Sequence, residues 1–173
     1  MLAACGGGET YALPEKAVHS KLLSVGPPAL VFGNSGLTSS VAEVGDNQVV
    51  WSLKSNGETV MKFVATITPN NEKSTSVALA VESTDGTAGT KVAKNMAEHP
   101  EIVTLYQAAM AEQVDAALDG REFNYMNIRN ETMRAAVANE GDLQNAVTKQ
   151  HDADRAEDKG RDEAKADADP WNQ

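Results

Sequence analysis

Three histidines, His19, His99 and His151, are the side chains that titrate near neutral pH, and general acid–base or metal chemistry would have to begin with one of them. None stands in a spacing that such chemistry uses. His19 falls on the exposed side of a first helix, and His99 precedes Pro100 at a helix junction, where capping accounts for it. His151 is followed by Asp152 and Asp154 on a charged stretch that nothing would hold rigid, so a solvated face explains them better than a metal cluster. Ser35, between Asn34 and Gly36, lacks the Gly-x-Ser-x-Gly setting that exposes a hydrolase nucleophile and reads as a turn. Gly6-Gly7-Gly8 runs into Glu9 rather than a Lys-Ser or Lys-Thr pair, so it is no phosphate loop. Carboxylates are plentiful, and no pair is singled out by spacing. The expectation is a protein without a catalytic constellation, metal site or cofactor.

The remaining reactive group is Cys5, the single cysteine, which excludes an intrachain disulfide and any Cys-rich metal site. It ends the run Leu2-Ala3-Ala4-Cys5. That run resembles the lipobox of bacterial lipoproteins, an aliphatic residue and two small residues before a cysteine that is lipidated and becomes the mature N-terminus. Small side chains let an extended segment enter a peptidase site, and the acylated thiol then holds the protein at the bilayer. The resemblance implies an address at the bacterial cell envelope, on the periplasmic face, lipid-anchored through Cys5. It also implies a charged and apolar leader upstream of the segment. Residues 1–8 are then lipobox and Gly-rich tether.

Charge narrows the partners. The net charge is -10, with 25 acidic residues spread along the chain against 15 basic ones, and no Lys/Arg stripe interleaved with aromatics offsets it. Such a surface repels phosphate backbones, so nucleic acid is not an expected partner. It gives no electrostatic help at anionic lipid either, which leaves membrane attachment to a covalent anchor. Nowhere in the sequence is there an apolar run of the roughly 18 residues that a spanning helix needs.

Positioning any of these groups falls to a chain of 173 residues, enough for one domain with a core plus appendages. Glu9 to Leu13 reads as a short strand, followed by a short helix opened by Pro14, with Ala17, Leu22 and Leu23 on its apolar side and Gly26 at its end. Pro27-Pro28 then predicts an extended segment through Leu30, Val31 and Phe32. Period-two alternation marks the centre: Val49, Trp51 and Leu53, then Met61, Phe63, Ala65 and Ile67, then Val77, Leu79 and Val81 share one buried side. Ser55-Asn56-Gly57 and Pro69 to Lys73 read as turns between them, and Leu37 to Val44 as the strand before.

Residues 83–90 are breaker-rich, and from Lys91 the period becomes helical. A short helix to Glu98 precedes a stronger one opened by Pro100, with Ile102, Val103, Tyr106, Ala109, Met110 and Ala117 on one stripe and Gly120 as its C-terminal stop. The fold class is α+β: an antiparallel sheet of four to five strands covered on one face by a long helix, with additional C-terminal helices. Residues 9–122 form this domain, 123–150 accessory helices, and 151–173 a charged, solvated helix and disordered tail.

The order strand, short helix, meander with a Trp-bearing strand, and long helix resembles the helix-grip arrangement of START-like and polyketide-cyclase-like ligand-binding proteins. The parts that carry it are Pro14 to Val25, the strands within Leu37 to Glu82, and Pro100 to Leu118. The resemblance implies an apolar cavity between sheet and helix for a small apolar ligand, with Trp51, Phe63, Tyr106 and Met110 as its lining. With fewer strands than that family, the cavity is expected to be shallow or filled. The apolar residues Met126, Ile128, Met133 and Val137 exceed what the sheet needs as cover and predict a surface for a protein partner or a second copy. The leading expectation is an envelope-anchored, non-enzymatic interaction or assembly module, with a carrier of a small apolar ligand as the alternative.

Overall fold

A computed structural model describes residues 8–32 and 36–140. Its centre is a five-stranded antiparallel sheet in the order β1-β5-β4-β3-β2, built from β1 (Glu9–Tyr11), β2 (Thr38–Val44), β3 (Gln48–Ser55), β4 (Glu58–Asn71) and β5 (Ser74–Ser83). Alternation sets the inner face as the sequence predicts, except that Leu79 is only half-buried, and Val50 and Val64 are buried on the opposite face as well. Val49, Trp51, Leu53, Met61, Phe63, Ala65, Ile67, Val77 and Val81 are all buried, and the register stacks Trp51 beside Phe63 and Phe63 beside Val81. Asn56 and Gly57 both take positive φ, at 51° and 83°, which is the two-residue turn whose twist matches the strands it joins.

Two places depart from plain alternation. Between Leu53 and Lys54 the β3–β4 register slips: Leu53 faces Met61 while Lys54 faces Thr59, and the extra residue, Val60, is buried along with Met61. The predicted turn over Pro69 to Lys73 is shorter than expected, because β4 continues to Asn71. Pro69 still pairs with Thr75, and the register breaks between Pro69 and Asn71, an irregularity of the kind that admits a proline into a ladder.

The helices are α1 (Glu15–Leu23), α2 (Ala29–Phe32), α3 (Thr87–Glu98), α4 (Pro100–Asp119) and α5 (Arg129–Ala138), with a 3-10 turn at Tyr125–Ile128. α1, α3 and α4 pack on the sheet, and α1 also packs on α4. Val18 and Leu22, one helical turn apart, are the core side chains of α1. The extended segment predicted after Pro27-Pro28 is instead α2. Pro28 lacks an N–H that the first helical turn would leave unbonded anyway, and its carbonyl accepts from Val31 N and Phe32 N. Likewise α3 begins at Thr87, ahead of the predicted Lys91. Gly86 (φ 100°) turns the chain, its carbonyl accepts from Thr90, and Gly89 lets the helix lie against Thr84, where a Cβ would come within 2.1 Å of the Thr84 carbonyl oxygen.

α4 is opened by Pro100 and closed by Gly120 in the left-handed region (φ 72°). No basic residue lies in its last turn, and Lys21 of α1 supplies the cation instead, donating from Nζ to the Ala117 carbonyl at 3.1 Å. Met110, Val114 and Leu118 face the core, with Val103 and Tyr106 half-buried against it. A second buried line of Ala109, Glu112 and Ala116 runs beside them. Ala117 is only half-buried, because the helix turns Ala116 rather than Ala117 inward.

The chain divides into two compact units, Met1–Met133 and Arg134–Gln173. The main unit therefore extends past residue 122, and residues 123–133 belong to it. Residues 151–173, expected as a charged helix and tail, lie outside the described residues.

Trp51 pins the core twice, by its buried rings and by its indole N–H, which donates to the Val25 carbonyl at 2.8 Å. Trp51→Phe is expected to cost about 1–3 kcal/mol through the orphaned carbonyl, and Trp51→Ala about 3–5 kcal/mol through the cavity as well. Urea unfolding followed by circular dichroism separates the two.

Candidate functional site

The four residues predicted to line a cavity meet at the sheet–helix interface as a packed core. Trp51, Phe63 and Met110 are 0% exposed, so no water-sized void borders them, and Tyr106 is half-buried at the margin. The space between Phe63 and Tyr106 is taken by Phe32. Its ring meets Phe63 edge-on at 5.5 Å and Tyr106 at 4.9 Å. Phe32 was placed by the sequence on an extended segment; as the last residue of α2 it becomes the plug.

Of the four apolar residues expected to form a partner surface, Met126 (62%), Met133 (54%) and Val137 (71%) are exposed, and Tyr125 joins them at 42%. Ile128 does not belong with them. It is buried at 1% exposure, because the 3-10 turn that carries it packs on α4 and turns Ile128 inward while Met126 faces out.

That turn is held by Glu112. The carboxylate, 5% exposed, takes both Arg121 guanidinium nitrogens, Nη1 on Oε1 and Nη2 on Oε2, the latter at 3.1 Å. Asn124 N donates to Oε1 and Asn127 Nδ2 to Oε2, each at 2.8 Å. Burial by itself would raise this carboxyl. The hydrogen bonds from Arg121, Asn127 and Asn124 together outweigh it and leave Glu112 below its ordinary value. Asn124 is also the N-cap of the turn, its side chain accepting from Met126 N at 3.1 Å. Arg121, Asn124 and Asn127 thus fold the chain back onto α4 so that Met126 is displayed.

A second polar group lies where β1 passes α4. Tyr11, on the inner face of the sheet, donates its hydroxyl to Asp115 Oδ1 and reaches Glu9 Oε2 at 3.5 Å. The charge of Asp115 is the main cause that raises Glu9, with burial second, and burial is the main cause that raises the Tyr11 phenol. Tyr11 thus bridges the two carboxylates. Among the described residues no three His, Cys, Asp or Glu side chains converge as a metal site would require.

The histidines fall differently from the expectation. His19 is buried, not exposed, because α1 turns it toward β2, where its Nδ1 lies 2.7 Å from Glu43 Oε1. His99 makes no side-chain cap to α4. Its carbonyl accepts from Ile102 and Val103, and its ring meets Glu101 at 3.4 Å. Gly8 is not a free part of the tether either, since a Cβ there would sit 3.0 Å from the Val77 carbonyl oxygen. Cys5, Ser35 and His151 lie outside the described residues.

Compared with known proteins, the chain matches no family model, no curated protein and no solved structure. Among the described residues, no helix is long and apolar enough to cross a membrane.

Glu112 sets a pH dependence. Its folded value lies below the ordinary 4.5, so as pH falls the unfolded chain takes up the proton first, and the stability it contributes is complete above that value and lost below it. Glu112→Gln is expected to cost about 1.5–3 kcal/mol at pH 7, and the gap to wild type should close as pH falls below 4.5. Amide exchange at Asn124 and Met126, whose N–H groups rest in this network, should quicken in the variant. In the other cluster, Asp115→Asn should bring Glu9 down toward its ordinary value, read by carboxyl-carbon NMR titration.

Proposed function

We propose that this chain is a lipid-anchored protein of the bacterial cell envelope, held through Cys5 on the periplasmic face, whose folded part is a non-enzymatic interaction or assembly module. The observation that carries the interaction role is the exposed apolar set Tyr125, Met126 and Met133 of the main unit, together with the Glu112 network that fixes the turn bearing the first two. A solvent-facing methionine on a turn held by a buried carboxylate is a displayed side chain, not a stray one. The packed Trp51–Phe63–Met110 core, with Phe32 inserted, favours this reading over the carrying of an apolar ligand.

The anchor rests on the Leu2-Ala3-Ala4-Cys5 pattern. Gly8, three residues after Cys5, lies against the Val77 carbonyl, so an anchor at Cys5 would hold the β1 edge of the sheet within about 10 Å of the bilayer surface, the reach of three residues of extended chain. That leaves the far edge of the sheet and the turn after α4 to meet partners.

Expression behind a complete signal sequence, with intact mass and detergent partitioning of wild type against Cys5→Ser, tests the anchor. Wild type is expected to gain the mass of acyl chains and enter the detergent phase, while Cys5→Ser stays aqueous; identical behaviour of the two sinks the anchor. Native mass spectrometry of the purified protein tests the module. A lipid-sized adduct on the folded chain would overturn the interaction reading in favour of a carrier.

A further inference from the structure

The two edges of the sheet are finished differently. On one side β5 is capped by β1, only three residues long and followed by Pro14, and Glu9 lies in it. Short length, charge and a nearby proline are the usual means by which an edge is closed to further pairing. On the other side β2 offers seven residues with an unbroken register against β3, from Thr38 opposite Lys54 to Val44 opposite Gln48. It contains no proline, no bulge and no lysine, and Glu43 is its sole charge. Among the described residues no strand pairs with its outer side, and all but Val41 are exposed. Alternate residues of such a strand direct their N–H and C=O groups outward.

We infer that β2 pairs with β2 of a second copy of this chain, antiparallel and centred on Val41, to make a continuous ten-stranded sheet. The sequence of the strand selects this occupant. Antiparallel pairing about Val41 sets Val41 against Val41, Ser40 against Ala42 and Ser39 against Glu43. Each Glu43 then faces a hydroxyl and not the other Glu43, so the one charge of the strand meets no like charge across the seam. A β-branched pair lies at the dyad, and small residues flank it. The arrangement is isologous and closes at two copies, because each chain spends the one open edge among its described strands. It deepens the assembly role proposed above, naming the partner, and does not depend on the anchor. β2 lies four strand spacings, about 19 Å, from the β1 edge to which Cys5 leads, so an anchored chain keeps it accessible.

A seven-residue seam is small beside the surface of a tight dimer, and the net charge of -10 on each copy opposes approach. The association is therefore weak and strengthened by salt, which screens that repulsion. Sedimentation velocity of the full chain, under reducing conditions so that Cys5 forms no disulfide, should show a reversible monomer–dimer equilibrium that tightens as salt is raised. Ser40 and Ala42 are themselves exposed, Ser40 opposite Ser52 and Ala42 opposite the buried Val50. Two double variants, S40K/A42K and S40K/A42E, change the same two positions, so circular dichroism of both shows that the fold is kept before their association is compared. S40K/A42K sets lysine against lysine twice across the dyad and should weaken the dimer by about tenfold or more. S40K/A42E sets lysine against glutamate in the same positions and should restore wild-type association or exceed it. In the unmodified chain, amide exchange within Thr38–Val44 should slow as concentration rises, a readout that needs no variant to fold. A chain that stays monomeric throughout, exchange in β2 that ignores concentration, or equal behaviour of the two double variants would overturn the proposal. Loss of β2 pairing with detergent partitioning intact leaves the anchor standing, and the converse leaves the pairing standing.

Discussion

A sheet that carries Val49, Trp51, Leu53, Phe63 and Ile67 on one side cannot leave that side in water, and α1, α2, α3 and α4 are placed by the need to cover it. Burial of these side chains is worth about 1.5–3 kcal/mol each by area alone. The cover is composite. α4 lays Met110, Val114 and Leu118 over the face, α1 adds Val18 and Leu22, α3 adds Met96, and α2 drives Phe32 between Phe63 and Tyr106. The indole N–H of Trp51, which would otherwise be a buried donor without an acceptor, ties the sheet to the Val25 carbonyl just beyond α1.

Once α4 is fixed on the sheet, its remaining faces organise the polar chemistry. Asp115 meets Tyr11 and Glu9 on the β1 side, and Glu112 gathers Arg121, Asn124 and Asn127 after the helix ends. The two carboxylates are three residues apart and experience opposite environments. Glu112 is surrounded by donors, which hold it ionised although it is buried, whereas Asp115 faces a second acid and raises Glu9. The first arrangement is a structural clasp whose product is an outward Met126. The second, bridged by the Tyr11 hydroxyl, ties the end strand β1 to the cover.

Much of the fold was legible in local pattern. Alternation located the three central strands, flanking breakers framed the strand before them, Asn56-Gly57 specified its hairpin, and Pro100 with Gly120 bracketed the long helix. The misreadings share a physical cause. Pro28 and Gly89 read as helix breakers in the sequence, yet each has a helical use: Pro28 sits where an unbonded N–H is missing anyway, and Gly89 where Thr84 leaves no room for a Cβ. Ile128 and His19 were given to the surface because short helical stretches do not declare which side is covered; only packing on α4 and on the sheet turned them inward.

By itself the sequence determined the α+β class, the inward face of the sheet, the acidic surface and the Leu2-Ala3-Ala4-Cys5 pattern, because periodicity, turn chemistry and charge are local properties of a chain. Tertiary structure alone decided that the core is filled by Phe32, that Glu112 and Asp115 take different partners, and which edge of the sheet is left unguarded. Those outcomes depend on groups far apart in the chain, such as Tyr11 and Asp115, or Trp51 and Val25, meeting within hydrogen-bonding distance. No spacing along the sequence encodes such a meeting, since it follows from how the cover settles on the sheet.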